Sequence, residues 1–180
     1  MRPSKLPPAP ERPFANTYWV IPGRLLAGEY PGAAHDAEAL PRLASLYSAG
    51  IDSFIDLTEE GELPPYRHLL TAKNRYLRSA IVDATVPNNV SQVQTLVMTI
   101  REALDQRRGL YVHCRAGIGR TGLVMGCFLA QAEGDGKKAL KILNRLWTQS
   151  ERAKQWPKVP QTAAQADYVK RWVDLSNRTF

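Results

Sequence analysis

The chain has 180 residues, which suits one compact domain with a core large enough to need no disulfide or metal staple. A hydrophobic fraction of 44% and a charged fraction of 23% are those of an ordinary soluble globular protein, and two cysteines fit a reducing compartment and exclude a disulfide scaffold. The net charge of +7 favours anionic partners, but no aromatic-interleaved basic repeat and no zinc-ligand spacing points to nucleic acid.

Residues 1 to about 15 read as a flexible, proline-rich arm, and 16–180 as a single domain. The start, Met1-Arg2-Pro3-Ser4-Lys5-Leu6-Pro7-Pro8, lacks the apolar core of a signal peptide, and no apolar run is long enough to span a bilayer. A cytoplasmic protein is therefore expected. Tyr18-Trp19-Val20-Ile21 and Arg24-Leu25-Leu26-Ala27 flank the turn pair Pro22-Gly23 and predict a small hairpin. Leu40, Leu43, Leu46 and Tyr47 recur at helical spacing over 36–49, and Gly50 closes that helix. Residues 51–57 read as a buried strand, followed by a polar loop over 58–65. A strand over 76–81 leads into Val82-Asp83-Ala84-Thr85-Val86-Pro87. An amphipathic helix over 91–106 buries Val93, Leu96, Val97, Ile100 and Leu104.

Leu110-Tyr111-Val112-His113 is a short apolar strand that ends at Cys114. A buried helix carrying Leu123, Val124, Met125, Phe128 and Leu129 follows. Cys127 on that helix reads as a small core residue, carried too far from Cys114 to bond with it. Two basic helices near 136–149 and 162–176 complete the pattern. Strands alternate with helices, so the expected fold is α/β, a mainly parallel central sheet flanked by helices.

The chemistry is concentrated in His113-Cys114-Arg115-Ala116-Gly117-Ile118-Gly119-Arg120-Thr121-Gly122. A strand delivers Cys114 to the sheet edge, and a glycine-bearing turn leads into a helix. Glycines let backbone N–H groups converge on one point, and with the helix N-terminus they make an anion cradle. The same field stabilises a thiolate at Cys114, a nucleophile suited to phosphorus. Arg115, Ala116, Gly117, Ile118, Gly119 and Arg120 line the cradle. The planar fork of Arg120 matches two phosphoryl oxygens and offsets transition-state charge. The Thr121 hydroxyl is expected near the Cys114 sulfur, stabilising it as a leaving group. His113 is expected to hold the cysteine backbone rather than act as a base.

This segment resembles the signature of the protein tyrosine phosphatase superfamily: His-Cys, five residues, Arg, then Ser or Thr. Gly28-Glu29-Tyr30-Pro31-Gly32 and Phe54-Ile55-Asp56-Leu57-Thr58-Glu59-Glu60-Gly61 look like those of bacterial atypical dual-specificity phosphatases. The resemblance implies a phosphatase-like single domain that works through a cysteinyl-phosphate with no metal or organic cofactor. It implies a general acid on a loop before the cysteine, and Asp83, followed shortly by Pro87, matches the dual-specificity pattern. The Trp-Pro that precedes this aspartate in tyrosine-specific enzymes is absent, which argues for a shallow loop rather than a large hinged one. The rivals are Asp56, inside an apolar strand where it satisfies backbone donors, and Asp105, on a solvated helix face. Pro160-Gln161-Thr162-Ala163-Ala164-Gln165 resembles the loop whose glutamine positions the hydrolytic water, which would be Gln161.

The expected substrates are phosphorylated proteins or peptides, phosphotyrosine first, then phosphoserine and phosphothreonine. A phosphoinositide or inositol phosphate is the alternative. Lipid phosphatases that resemble this family often carry lysines inside the signature loop, and this loop has none; Arg115, Arg107 and Arg108 are candidates for extra positive potential at the mouth. A catalytically inactive phosphoprotein-binding module is a third reading, and a monomer is expected.

Overall fold

The computed structural model describes residues 10–178. Of the expected arm, 1–9 lie outside the described residues. Pro10 accepts a hydrogen bond from Trp19 Nε1 at 2.9 Å, and the Phe14 ring packs edge-on against Tyr111.

The expected hairpin is Thr17–Ile21 (β1) against Leu25–Gly28 (β2), antiparallel, with Gly23 at φ +70 in the turn. Ser53–Asp56 (β3), Arg75–Arg78 (β4) and Leu110–His113 (β5) complete a five-stranded sheet of order β1-β2-β5-β3-β4. The β2–β5, β3–β5 and β3–β4 pairs are parallel, so the sheet is mainly parallel as expected. β5 lies at its centre, with His113 in register with Gly28 on one side and Asp56 on the other.

Alternating side chains feed two cores, as the period of a strand requires. Trp19, Leu26, Phe54 and Tyr111 face Leu43 and Leu46 of Asp36–Ser48 (α1). Tyr18, Leu25, Ala27, Ile55 and Val112 face the larger cluster. That cluster is built by Val90–Asp105 (α2), Gly119–Glu133 (α3), Gly136–Trp147 (α4), Ala163–Lys170 (α5) and Trp172–Asn177 (α6). Cys127 is a free thiol within it, fully buried, and burial pushes the thiol up well above its ordinary range.

One element differs from expectation. The single helix expected over 162–176 is two helices that break at Arg171. At the break the start of α4 closes on α5: a Cβ on Gly136 would lie 2.2 Å from the Val169 carbonyl oxygen and 2.6 Å from that of Lys170. Trp172 turns fully into the core and donates to Gln131 Oε1 at 3.1 Å. No helix among the described residues is long and apolar enough to cross a membrane.

Candidate active site

The signature loop is the joint between β5 and α3. A parallel strand flowing into a helix puts the loop at the carboxyl edge of the sheet, where ligands of α/β folds sit. Cys114 is 3% exposed at its floor. Neighbouring segments hold its frame: Leu57 N–H donates to the His113 carbonyl at 2.9 Å and Tyr30 N–H to the Arg115 carbonyl at 3.0 Å. Gly117 has φ +75 and presses on the end of β2; a Cβ there would lie 2.5 Å from the Gly28 carbonyl carbon. Only glycine combines that backbone with that approach.

Arg120 is fully buried beside this loop. Its Nη1 and Nη2 donate to the two oxygens of Glu62 at 2.7 and 2.8 Å, a bidentate pair across the end of the guanidinium. Nη1 also reaches the Ile81 carbonyl at 3.2 Å. The side edge, Nε and the second Nη2 hydrogen, keeps two donors free of hydrogen bonds. Asp83 lies against that edge, its Oδ1 at 3.2 Å from Nε in an ion pair. Hydrogen bonds from Arg120 hold the Glu62 carboxyl down at about 2, against burial, with the Glu59 amide and Arg115 helping. Burial alone would lower Arg120, but Glu62, Cys114 and Asp83 together push it up and keep it charged. Arg115 is half-exposed at the rim and pairs with the same Glu62, Nε to Oε1 at 3.2 Å.

Glu62 is the functional residue that sequence reading missed. It sits in the polar loop between β3 and β4, among acidic residues that look solvated. The signal was Gly61, whose φ of +79 turns the chain so that Glu62 points back. The carboxylate also accepts from the Glu59 amide at 3.0 Å.

Behind Cys114, His113 is fully buried, and Tyr66 OH meets its Nε2 at 2.7 Å. Burial lowers its pKa to about 4 against the pull of Asp56, so the ring is neutral at physiological pH. Asp56 is buried and accepts from Thr58 N–H at 2.9 Å, Thr58 Oγ1 at 2.6 Å, Tyr76 OH at 2.7 Å and Arg78 Nη2 at 3.2 Å. Burial raises its pKa, but His113 and these donors outweigh that and hold the carboxyl below the usual range. With its oxygens committed, Asp56 is a structural anion, as its place in an apolar strand suggested.

The loop that carries Asp83 is pinned at both ends. Gln92 Nε2 donates to the Ala80 carbonyl at 2.8 Å and Gln165 Nε2 to the Thr85 carbonyl at 3.0 Å. Asp83 itself remains 56% exposed, and Ala84 beside it takes φ +58. Gln165 is fully buried and its Oε1 accepts from Thr162 N–H, closing a capping box at the start of α5. Of the two glutamines in Pro160–Gln165, then, the second braces the loop that carries Asp83. Gln161 is exposed and its Oε1 would touch a Cβ on Gly119 at 2.9 Å, so it borders the cradle. The Thr121 hydroxyl is buried with no hydrogen-bond partner among the described residues.

Asp105 is solvated, as its helix face suggested, and two cations expected at the mouth, Arg107 and Arg108, lie elsewhere. Asp105 is exposed at the end of α2, and Arg107 and Arg108 follow it, ahead of the first residue of β5. Cys114 follows the last residue of that strand, so the strand's length separates them from the mouth. Arg108 instead pairs with Asp52 at 3.3 Å.

The family model described as the Swiss Army Knife protein, DSP-PTPase phosphatase domain (PTP-SAK), matches residues 14–167. The chain belongs to that family. The PTP-SAK match runs from before β1 into α5 and takes in every site residue above. "Putative tyrosine phosphatase 067L" of Invertebrate iridescent virus 3 is 31% identical over 109 residues, 59% of this chain and 45% of the viral protein, so the match spans under half of that relative's length. The crystal structure of Tk-PTP in the active form superposes with TM-score 0.67 at 22% identity, covering 84% of this chain and 92% of that one. PTPMT1 in complex with PI(5)P gives 0.62 at 17% identity, covering 88% and 96%. At such identities the two structures show a shared fold.

Proposed function

We propose that this PTP-SAK domain hydrolyses phosphate monoesters on proteins in the cytoplasm, phosphotyrosine first, through a cysteinyl-phosphate intermediate. The observation that carries the reading is the Arg120 side edge, with two unused donors, lying beside both the Cys114 loop and the Asp83 carboxylate. Cys114 thiolate attacks phosphorus in line, and the ester oxygen departs with the proton of Asp83. The loop amides and the side edge of Arg120 bind the equatorial oxygens, while Glu62 holds the other edge and fixes the plane of the fork. Water, deprotonated by Asp83 and oriented by Gln161, then attacks the thiophosphate. Thr121 donates its otherwise unpaired hydroxyl to the departing sulfur, and phosphate leaves.

A protein substrate is supported by three features. The relative from the iridescent virus is named a tyrosine phosphatase. The rim cation Arg115 is already paired with Glu62, so it is less available to the further phosphates of an inositol ring. A groove of about 780 Å³ also opens from Gln161 along Trp156, Pro157 and Leu140, wide enough for peptide side chains.

The test compares kcat/KM for a phosphotyrosine peptide, phosphoserine and phosphothreonine peptides, and a phosphoinositide in mixed micelles. The phosphotyrosine peptide is expected to lead the phosphoinositide by about tenfold or more, a margin of about 1.4 kcal/mol. The reverse ranking would transfer the substrate to the lipid class. Binding of phosphopeptides without any turnover would make the domain a reader instead.

A further inference from the structure

Arg152 stands outside the signature, and in the sequence it is one more cation in a basic stretch. In the structure it touches the cradle from behind. Its Nη1 donates to the Ala116 carbonyl at 2.6 Å and its Nη2 meets Glu29 Oε2 at 3.0 Å. Glu29 is held in turn by Arg42 Nη2 at 2.9 Å on Oε1 and by Asn16 Nδ2 at 2.9 Å on Oε2. Asn16 Oδ1 accepts the backbone N–H of Arg152 at 3.1 Å. Segments from before β1, the end of β2, α1 and the short turn at 151–154 thus converge on one carboxylate and one guanidinium, with side chains 16% and 28% exposed.

A trans peptide unit points its C=O and its N–H in opposite directions. The Ala116 carbonyl is drawn outward to Arg152, which leaves the Gly117 N–H directed to the other side, towards the anion. The Arg115 carbonyl is drawn outward by Tyr30 N–H at 3.0 Å, which does the same for the Ala116 N–H. Gly117, at φ +75, has no side chain to resist rotation of the unit before it. Turned over, that unit would present a carbonyl oxygen to the phosphate in place of a donor.

We propose that Arg152, oriented by Glu29, is a positioning residue for the phosphate cradle: it pins the Ala116–Gly117 peptide so that the Gly117 N–H stays aimed at the phosphoryl oxygens. The guanidinium also polarises that peptide, which strengthens its N–H as a donor. This assigns a task to Glu29 in the Gly-Glu-Tyr-Pro-Gly stretch. The proposal rests on the phosphatase reading but not on which ester is hydrolysed.

The test uses the full chain, a small aryl phosphate and inorganic vanadate. Arg152→Ala is expected to raise the vanadate inhibition constant about tenfold and lower kcat/KM by a similar factor, the weight of one cradle donor. Arg152→Lys keeps one donor for the carbonyl and should recover most of that loss, while Glu29→Gln should fall between the two. Asp135→Ala, which removes the α4 cap far from the loop, is the control. It should lower the thermal midpoint without moving the inhibition constant. A folded Arg152→Ala protein with wild-type vanadate affinity overturns the proposal. So does an equal loss of affinity in the control at a matched thermal midpoint. Should Arg152→Ala fail to fold, the nearly isosteric Glu29→Gln decides alone, and an unchanged constant there overturns it. A wild-type protein that neither turns over the aryl phosphate nor binds vanadate would sink the phosphatase reading instead.

Discussion

Removing the Glu62 carboxylate puts the buried guanidinium to a direct test. In Glu62→Ala, Arg120 loses two charge-assisted bonds of 2.7 and 2.8 Å while staying fully buried. Such bonds contribute about 1.5–3 kcal/mol each, and the removal is partly offset by Asp83 and the backbone carbonyls that remain. A net loss of about 2–3 kcal/mol follows, which lowers Tm by about 5–10 °C in a chain of this size. The pH dependence carries a sign. The carboxyl titrates at about 2 in the fold against an ordinary 4.5, so its stabilisation is complete above 4.5. Below that the unfolded chain takes up a proton that the folded chain refuses, and the contribution fades as pH falls towards 2. Denaturant titrations of both proteins should therefore show a stability gap that narrows across that window. With its end edge empty, the Arg120 fork swings towards Asp83, so kcat/KM for an aryl phosphate should fall about 10- to 100-fold, the order of losing an oriented transition-state donor. Equal thermal midpoints and equal kcat/KM in the two proteins would refute the reasoning.

Cys114→Ser should abolish turnover while tungstate still binds in calorimetry; residual steady turnover would remove the nucleophile assignment. Asp83→Ala should slow an alkyl phosphate by about 100-fold or more and an activated aryl phosphate far less, since the latter needs no proton. Equal losses would point to another acid. Gly117→Ala forces a Cβ to 2.5 Å from the Gly28 carbonyl carbon at a left-handed backbone position. It should cost about 2–4 kcal/mol and most of the activity, read by urea unfolding and by vanadate affinity. Tyr66→Phe strips the hydrogen bond from His113 Nε2 and should cost about 1–2 kcal/mol by the same unfolding assay.

The parts of the site that were legible in the sequence are those made by local chain. The hairpin announced itself through Pro22-Gly23, and the cradle through a strand, a cysteine, glycines and an arginine in order. Asp83 was singled out by resemblance to the dual-specificity pattern, and the structure pairs it with Arg120, far away in sequence. Glu62 was missed because nothing nearby in the chain tells an acidic residue on a solvated loop from one that folds back onto a buried cation. Gln165 was passed over for Gln161 because its burial depends on α5 docking beside the loop that carries Asp83. The break at Arg171 was invisible for a related reason: residues 162–176 hold no Gly or Pro to mark it, and it falls where the start of α4 closes on the Val169 and Lys170 carbonyls. Arg107 and Arg108 were misjudged by proximity in sequence, since a strand carries its two ends to opposite sides of the sheet.

β5 is flanked on both sides by strands from much earlier in the chain, residues 25–28 and 53–56. Neither partner can be reached without closing a long loop, so the seat of the nucleophile is assembled by distant pairings. The first hairpin, which contains no reacting group, is thereby a condition for chemistry more than eighty residues downstream. Catalysis and the global unfolding transition should vanish together, along one curve.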